Sequence, residues 1–152
     1  VEDLFAAFQE SGYGAFVRQS VFLYPFANVT HVLAVLVFFA SVAAMDLRLL
    51  GVLKGMPAKT VIARLRPIAV AAFVIVVATG FTLFVAEAVA IARNPAFQVK
   101  AAAILVGLAN VVANGWALRH SGEGAALVRA TAGASLVLWL AVAACGRLIA
   151  YL

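Results

Sequence analysis

A chain of 152 residues that is 66% hydrophobic and only 11% charged, with a mean hydropathy of +1.12, is not an ordinary soluble domain. Soluble domains lie nearer ~45–50% apolar and ~25% charged, and a body this small leaves too much surface in water to hide the surplus. Disorder, a secreted disulfide scaffold and a free soluble enzyme are excluded, and the lipid bilayer is left as the solvent. The net charge of +5 is spread over short connections between apolar runs, with no nucleic-acid recognition motif beside it, so nucleic acid is not an expected partner. The single cysteine, Cys145, sits inside an apolar run and reads as a small buried hydrophobe.

In chain order, the segment 1–21 comes first. Glu2–Gln9 puts Leu4, Phe5 and Phe8 on one helical face, Ser11-Gly12 interrupts, and Gly14–Tyr24 resumes with Phe16, Val17, Val21 and Phe22. This pattern predicts a short amphipathic helix lying on the membrane surface, the alternative being a frayed tail. The acidic start, without a basic n-region, gives no expectation of a cleavable signal peptide.

A hydrocarbon core of ~30 Å needs about 20 apolar residues per helix. Four runs meet that length, at about 22–45, 67–92, 97–118 and 125–150. The expected fold is all-α: one transmembrane domain, 1–152, with four antiparallel membrane helices. Pro25 and Pro67 are expected in first turns, and Gly51 and Gly122 at helix ends. Arg48, Lys54, Lys59, Arg64, Arg66, Arg119 and Arg129 fall on one side, against Arg18, Arg93, Lys100 and Arg147 on the other. The positive-inside rule then sets both termini on the periplasmic side of a bacterial inner membrane. Tyr13, Phe16, Phe22, Tyr24, Phe26, Phe84, Phe97 and Tyr151 mark the outer boundary and Trp116 the inner one.

Helices in lipid associate by close packing and hydrogen bonds, because lipid tails are as apolar as leucine. Inward seams are expected at Ala27, Ala34 and Ser41, with His31, Phe38 and Met45 between them. Ala103, Gly107, Asn110 and Asn114 form a second seam; Ala130, Ala134 and Ala141, with Thr131 and Ser135, form a third. His31 is the residue that asks most for an explanation, since an ionisable group in an apolar seam is costly unless neutral and hydrogen-bonded. Three readings stay open for it. It is a packed histidine satisfied by Thr82, Asn28 or a backbone carbonyl; it meets a partner; or it binds a cofactor, b-type haem through the iron or a quinone, with Asn28, Thr82 and Asn110 as further candidate contacts. Ala27, Ala34, Gly80 and Ala103 would leave room for a flat ring. His120 is expected on the order of 20 Å away along the axis, so one chain would not supply bis-histidine ligation.

Charges near the span ends form two levels. Glu87, Lys100 and Arg147 sit toward one end and Asp46, Arg48 and Arg129 toward the other, making Glu87–Lys100, Glu87–Arg147 and Asp46–Arg129 the expected pairs. HExxH, CxxC, GxSxG, phosphate-loop and dinucleotide motifs are absent, and no nucleophile stands near a base, so the chain is not expected to be an enzyme. The leading expectation is a non-catalytic membrane subunit, packing with other membrane subunits or with itself in a respiratory or photosynthetic electron-transfer assembly. A His31-centred haem or quinone protein is the alternative, and a small transporter the third.

Tyr24-Pro25…Thr30-His31-Val32-Leu33, Asp46-Leu47-Arg48-Leu49-Leu50-Gly51, Ala78-Thr79-Gly80-Phe81 and Asn94-Pro95-Ala96-Phe97-Gln98-Val99-Lys100 form a recognisable set. Together they resemble an uncharacterised family of small bacterial four-helix membrane proteins, loosely similar to the CopD-like and HemJ-like group. That likeness implies membrane histidines associated with copper transport or haem, and it implies motif roles for His31, Asp46, Arg48, Asn94, Phe97 and Lys100. Met45 and Met56 are the only methionines, fewer than a copper route would use.

Overall fold

The protein, described by a computed structural model over residues 2–151, is all-α. The helices among the described residues are α1 (Glu2–Glu10), α2 (Gly12–Gln19), α3 (Leu23–Leu49), α4 (Ala58–Ala86), α5 (Ala88–Arg93), α6 (Pro95–Ser121) and α7 (Ala126–Leu148). α3, α4, α6 and α7 are long and apolar enough to cross a membrane. Even the shortest, at 23 residues, reaches about 35 Å at 1.5 Å per residue, more than a hydrocarbon core requires.

The helices run further than the apolar windows. α3 continues through Asp46 and Arg48 to Leu49, and α4 starts at Ala58, well before the expected 67. Lys59, Arg64 and Arg66 are good helix formers whose charged heads extend toward water, so charge ends the apolar run without ending the helix. Pro67 therefore lies inside α4 and not in a first turn. α4 stops at Ala86, where Glu87 adopts a non-helical backbone, and the short α5 follows as a separate element. Gly51 and Gly122 take φ +80° just past α3 and α6, a left-handed stop that few other residues adopt without strain.

The N-terminal segment forms two helices, divided at Ser11, whose hydroxyl caps α2 by accepting from the Gly14 N–H at 3.1 Å. They close the break between α4 and α5. Val17 packs into a sealed cluster with Val85 and Ala86. Arg18 donates to the Ala86 carbonyl at 3.3 Å, and Gln9 accepts from the Val89 N–H at 3.1 Å. Backbone groups released by the break are thereby paired, as an apolar environment demands.

The four long helices form two antiparallel hairpins, α3 with α4 and α6 with α7, joined along α3 and α7; the backbones of α4 and α6 do not approach each other. The first seam is as expected: Ala27, Ala34 and Ser41 are all buried. In the second, Asn110 donates to the Thr131 carbonyl at 2.9 Å and Asn114 to the Thr131 hydroxyl at 2.8 Å. The third seam is corrected. α7 turns Val128, Ala132, Ser135 and Trp139 inward, while Ala130, Ala134 and Ala141 face out. In lipid both faces of a helix are apolar, so rotation is set by what fills the interior. Here that is Trp139, 4.7 Å from Phe38 of α3 and 6.1 Å from Phe73 of α4, ring centre to ring centre. On α6, a Cβ at Gly107 would stand 3.1 Å from the same indole.

Gly107→Leu should accordingly destabilise the bundle by about 1–3 kcal/mol through overpacking. Gly115→Leu on the same helix, where a Cβ meets nothing within 4 Å, should change the thermal midpoint in detergent little. Equal midpoints for the two variants would remove Trp139 from its central place.

Candidate functional site

The candidate site lies two turns into α3, toward the end of the bundle that carries α1 and α2. His31 is half-buried, with Nδ1 2.9 Å from the Thr79 hydroxyl of α4. Thr79 donates its own proton to the Ile75 carbonyl at 2.6 Å, the usual back-bond of a helical threonine. Its oxygen therefore accepts from the histidine, which assigns the proton of the neutral ring to Nδ1 and leaves Nε2 unprotonated. The tautomer follows from that network. Gly80 makes the arrangement possible: a Cβ there would stand 3.1 Å from His31 Cε1. The backbone carbonyl of Val76, one turn before Gly80 on α4, is a second hydrogen-bond partner of the imidazole.

Across the bundle, half-buried Lys100 of α6 is the charged group close enough to act on the imidazole. Its Nζ lies beside Gly146 of α7, 3.2 Å from where a Cβ would be, and near Cys145. Four helices thus contribute to one level: His31, Thr79, Lys100, and the Cys145-Gly146 pair. Chemically the level offers an acceptor, Nε2, and a cationic donor, Nζ. Above it, Phe84 of α4 stacks on Phe97 of α6 at 5.4 Å, and Phe5 and Phe8 pack edge-on against Phe84 and Phe81. The ring layer closes the terminal end where the α4 and α6 backbones stay apart.

Other expected contacts are placed elsewhere. Thr82 pairs with the Tyr13 hydroxyl at 2.9 Å, and Asn28 is exposed, so neither satisfies His31. Asn110 spends its amide on α7. His120 is exposed at the opposite end, stacked on Trp116. The expected ion pairs do not form. Lys100 faces Gly146, Arg147 donates to the Tyr151 hydroxyl, and Asp46 faces Ser135, not Arg129. Each helix's rotation decides this: Arg129 and Glu87 are exposed, whereas Asp46 is only 7% exposed. Asp46 Oδ2 and Trp139 Nε1 are buried without a hydrogen-bond partner among the described residues. Thr79 and Trp139 are the residues that sequence reasoning passed over. The signal for Thr79 was there, since a threonine beside a glycine in an apolar helix pairs a hydroxyl with a gap.

A family model matches residues 5–152. The chain belongs to that family, a family of unknown function (DUF6644). No curated protein and no solved structure matches it. The family match carries neither copper nor haem chemistry with it.

The motif residues have local structural roles. Asn94 caps α6 by accepting from the Ala96 N–H at 2.9 Å, with Pro95 in the first turn. Its amide reaches the Ile149 carbonyl after α7 at 3.3 Å. Arg48 donates to the Met56 carbonyl at 2.6 Å and so fastens the connection between α3 and α4.

Thr79→Val should lower stability by about 1 kcal/mol and free the imidazole to exchange tautomers, while Thr79→Ser should retain both properties. Nitrogen chemical shifts of His31 in labelled protein report the tautomer; a protonated Nε2 in the wild type would contradict the assignment.

Proposed function

We propose that this chain is a non-catalytic integral membrane subunit whose outer α7 face packs against membrane helices of other subunits or of a second copy. One observation carries the reading. Ala130, Ala134, Val137, Ala141 and Ala144 follow a 4-3-4-3 spacing along α7, and every one is exposed. Covering such a stripe brings no hydrophobic gain in lipid, but four alanines on a heptad seam let another backbone approach closely. Ala102, Val106, Ala109 and Ala113 offer a similar exposed stripe on α6. The basic connections support a bacterial inner-membrane orientation with both termini periplasmic.

With Cys145 replaced by serine, a cysteine at Ala134 should crosslink to another chain in native membranes, whereas one at Val77, exposed on α4, should not. A purified monomer without companions, together with no adduct at Ala134, would overturn the proposal. Cysteines at Gly55 and Ala92 should label from opposite sides of the membrane; labelling of both from the same side would overturn the four-span topology.

The tautomer of His31, with Nδ1 held by Thr79 and Nε2 unprotonated, favours a second reading, a quinone or b-type haem site. The donor set suits a quinone better. Lys100 would donate to a quinone carbonyl, and Nε2 would accept from a quinol hydroxyl on the same level. A haem iron would take Nε2, with Thr79 as the group that orients the ring, but no second histidine shares the level. Such a site would place the subunit in an electron-transfer assembly. The test is a visible spectrum, oxidised and reduced, with solvent extraction of quinone, wild type beside His31→Ala. A Soret band or a bound quinone lost in the variant supports the reading. Neither in the wild type returns His31 to packing alone.

A further inference from the structure

At the end opposite His31, α4 and the end of α6 diverge around a groove of about 830 Å³, within the ~300–1,000 Å³ range of small-molecule sites. Its α4 wall is Ile62, Ala63, Val70 and Ala71, and Leu118 faces them from α6. Lys59 and Arg66 stand on the same wall, seven residues and so two turns apart, about 10 Å along the axis. Neither cation has an ion-pair partner among the described residues. Glu123 also lines the groove, but it is shared with a neighbouring pocket containing Arg48 and Arg129. Four cations thus surround one carboxylate.

We infer that this groove binds one anionic glycerophospholipid, with its phosphate on Lys59 and Arg66 and an acyl chain along the apolar wall toward Ala71. Charge complementarity selects the occupant. A transmembrane helix would bury both cations without a counter-charge, at high cost in hydrocarbon, whereas a lipid brings phosphate and hydrocarbon in the order the groove presents them. Basic pockets between membrane helices hold anionic headgroups for this reason.

Native mass spectrometry of the full chain in detergent, titrated with dioleoyl phosphatidylglycerol or with phosphatidylcholine of the same chains, reads the occupancy. One phosphatidylglycerol should be retained in preference to phosphatidylcholine. Lys59→Gln with Arg66→Gln should weaken retention at least roughly tenfold, and Lys59→Arg with Arg66→Lys should restore it. Lys54→Gln with Arg64→Gln, which removes equal charge beside the groove, should leave it intact. Ala71→Phe, which fills the groove and keeps its charges, should abolish it. Equal retention of phosphatidylcholine, equal loss in the Lys54 and Arg64 variant, or full retention in Ala71→Phe would each overturn the site. So would displacement by inorganic phosphate, which would mark an anion site without a lipid. A cysteine at Ala71, in the Cys145→Ser background, that crosslinks to a protein chain while no lipid is retained would place a helix there instead.

Discussion

One indole holds the four membrane helices in register. In water a bundle is driven together by the surface it hides; in lipid that drive is absent, and shape complementarity and hydrogen bonds must serve instead. Trp139 is 3% exposed and meets Phe38 of α3, Phe73 of α4 and the bare backbone of Gly107 on α6. A large ring opposite a glycine lets helices with different spacings converge at mid-depth. Once Trp139 points inward, the rotation of α7 is decided along its length. Thr131 then meets Asn110 and Asn114, Ser135 meets Asp46, and the alanine seam is left on the outside.

The same geometry explains why the two ends differ. Above the indole, Phe84 on Phe97 fills the space between α4 and α6, and the imidazole of His31 fills the gap at Gly80 between α3 and α4. Below it nothing so large bridges the two helices, and the groove opens among the basic residues. One end carries a short-range polar arrangement with a defined tautomer. The other carries long, flexible cations around an apolar slot. The two environments suit different chemistry, orientation at the first and attraction at the second.

Much of this was legible in the sequence, and the rest failed for identifiable physical reasons. The Ala27, Ala34, Ser41 seam could be read because its small residues share one helix face with His31, an ionisable group that is costly on a lipid-facing side. Asn110 and Asn114 could be read because amides inside a span need partners. The α7 stripe could not be assigned to a side, since small residues at heptad spacing serve an internal and an external seam equally. Ion pairs inferred from depth alone were misplaced, because depth fixes one coordinate and helix rotation the other. For His31 the seam was legible and the partner was not: Thr79 and Thr82 both lie on α4, and only the rotation of that helix decides between them.

The division into two hairpins also bears on how the chain is made. Most helix contacts join neighbours in sequence, α3 to α4 and α6 to α7, so each pair completes its interface as soon as its second helix leaves the translocation machinery. Contacts so local favour fast assembly, because little loop entropy is spent before they form. Docking of the two pairs through the indole is then a late and separate event. In a nascent chain caught before α7 emerges, Gly107 faces lipid with no ring against it, and the first hairpin holds His31 beside Thr79 while Lys100 of α6 is not yet docked against it.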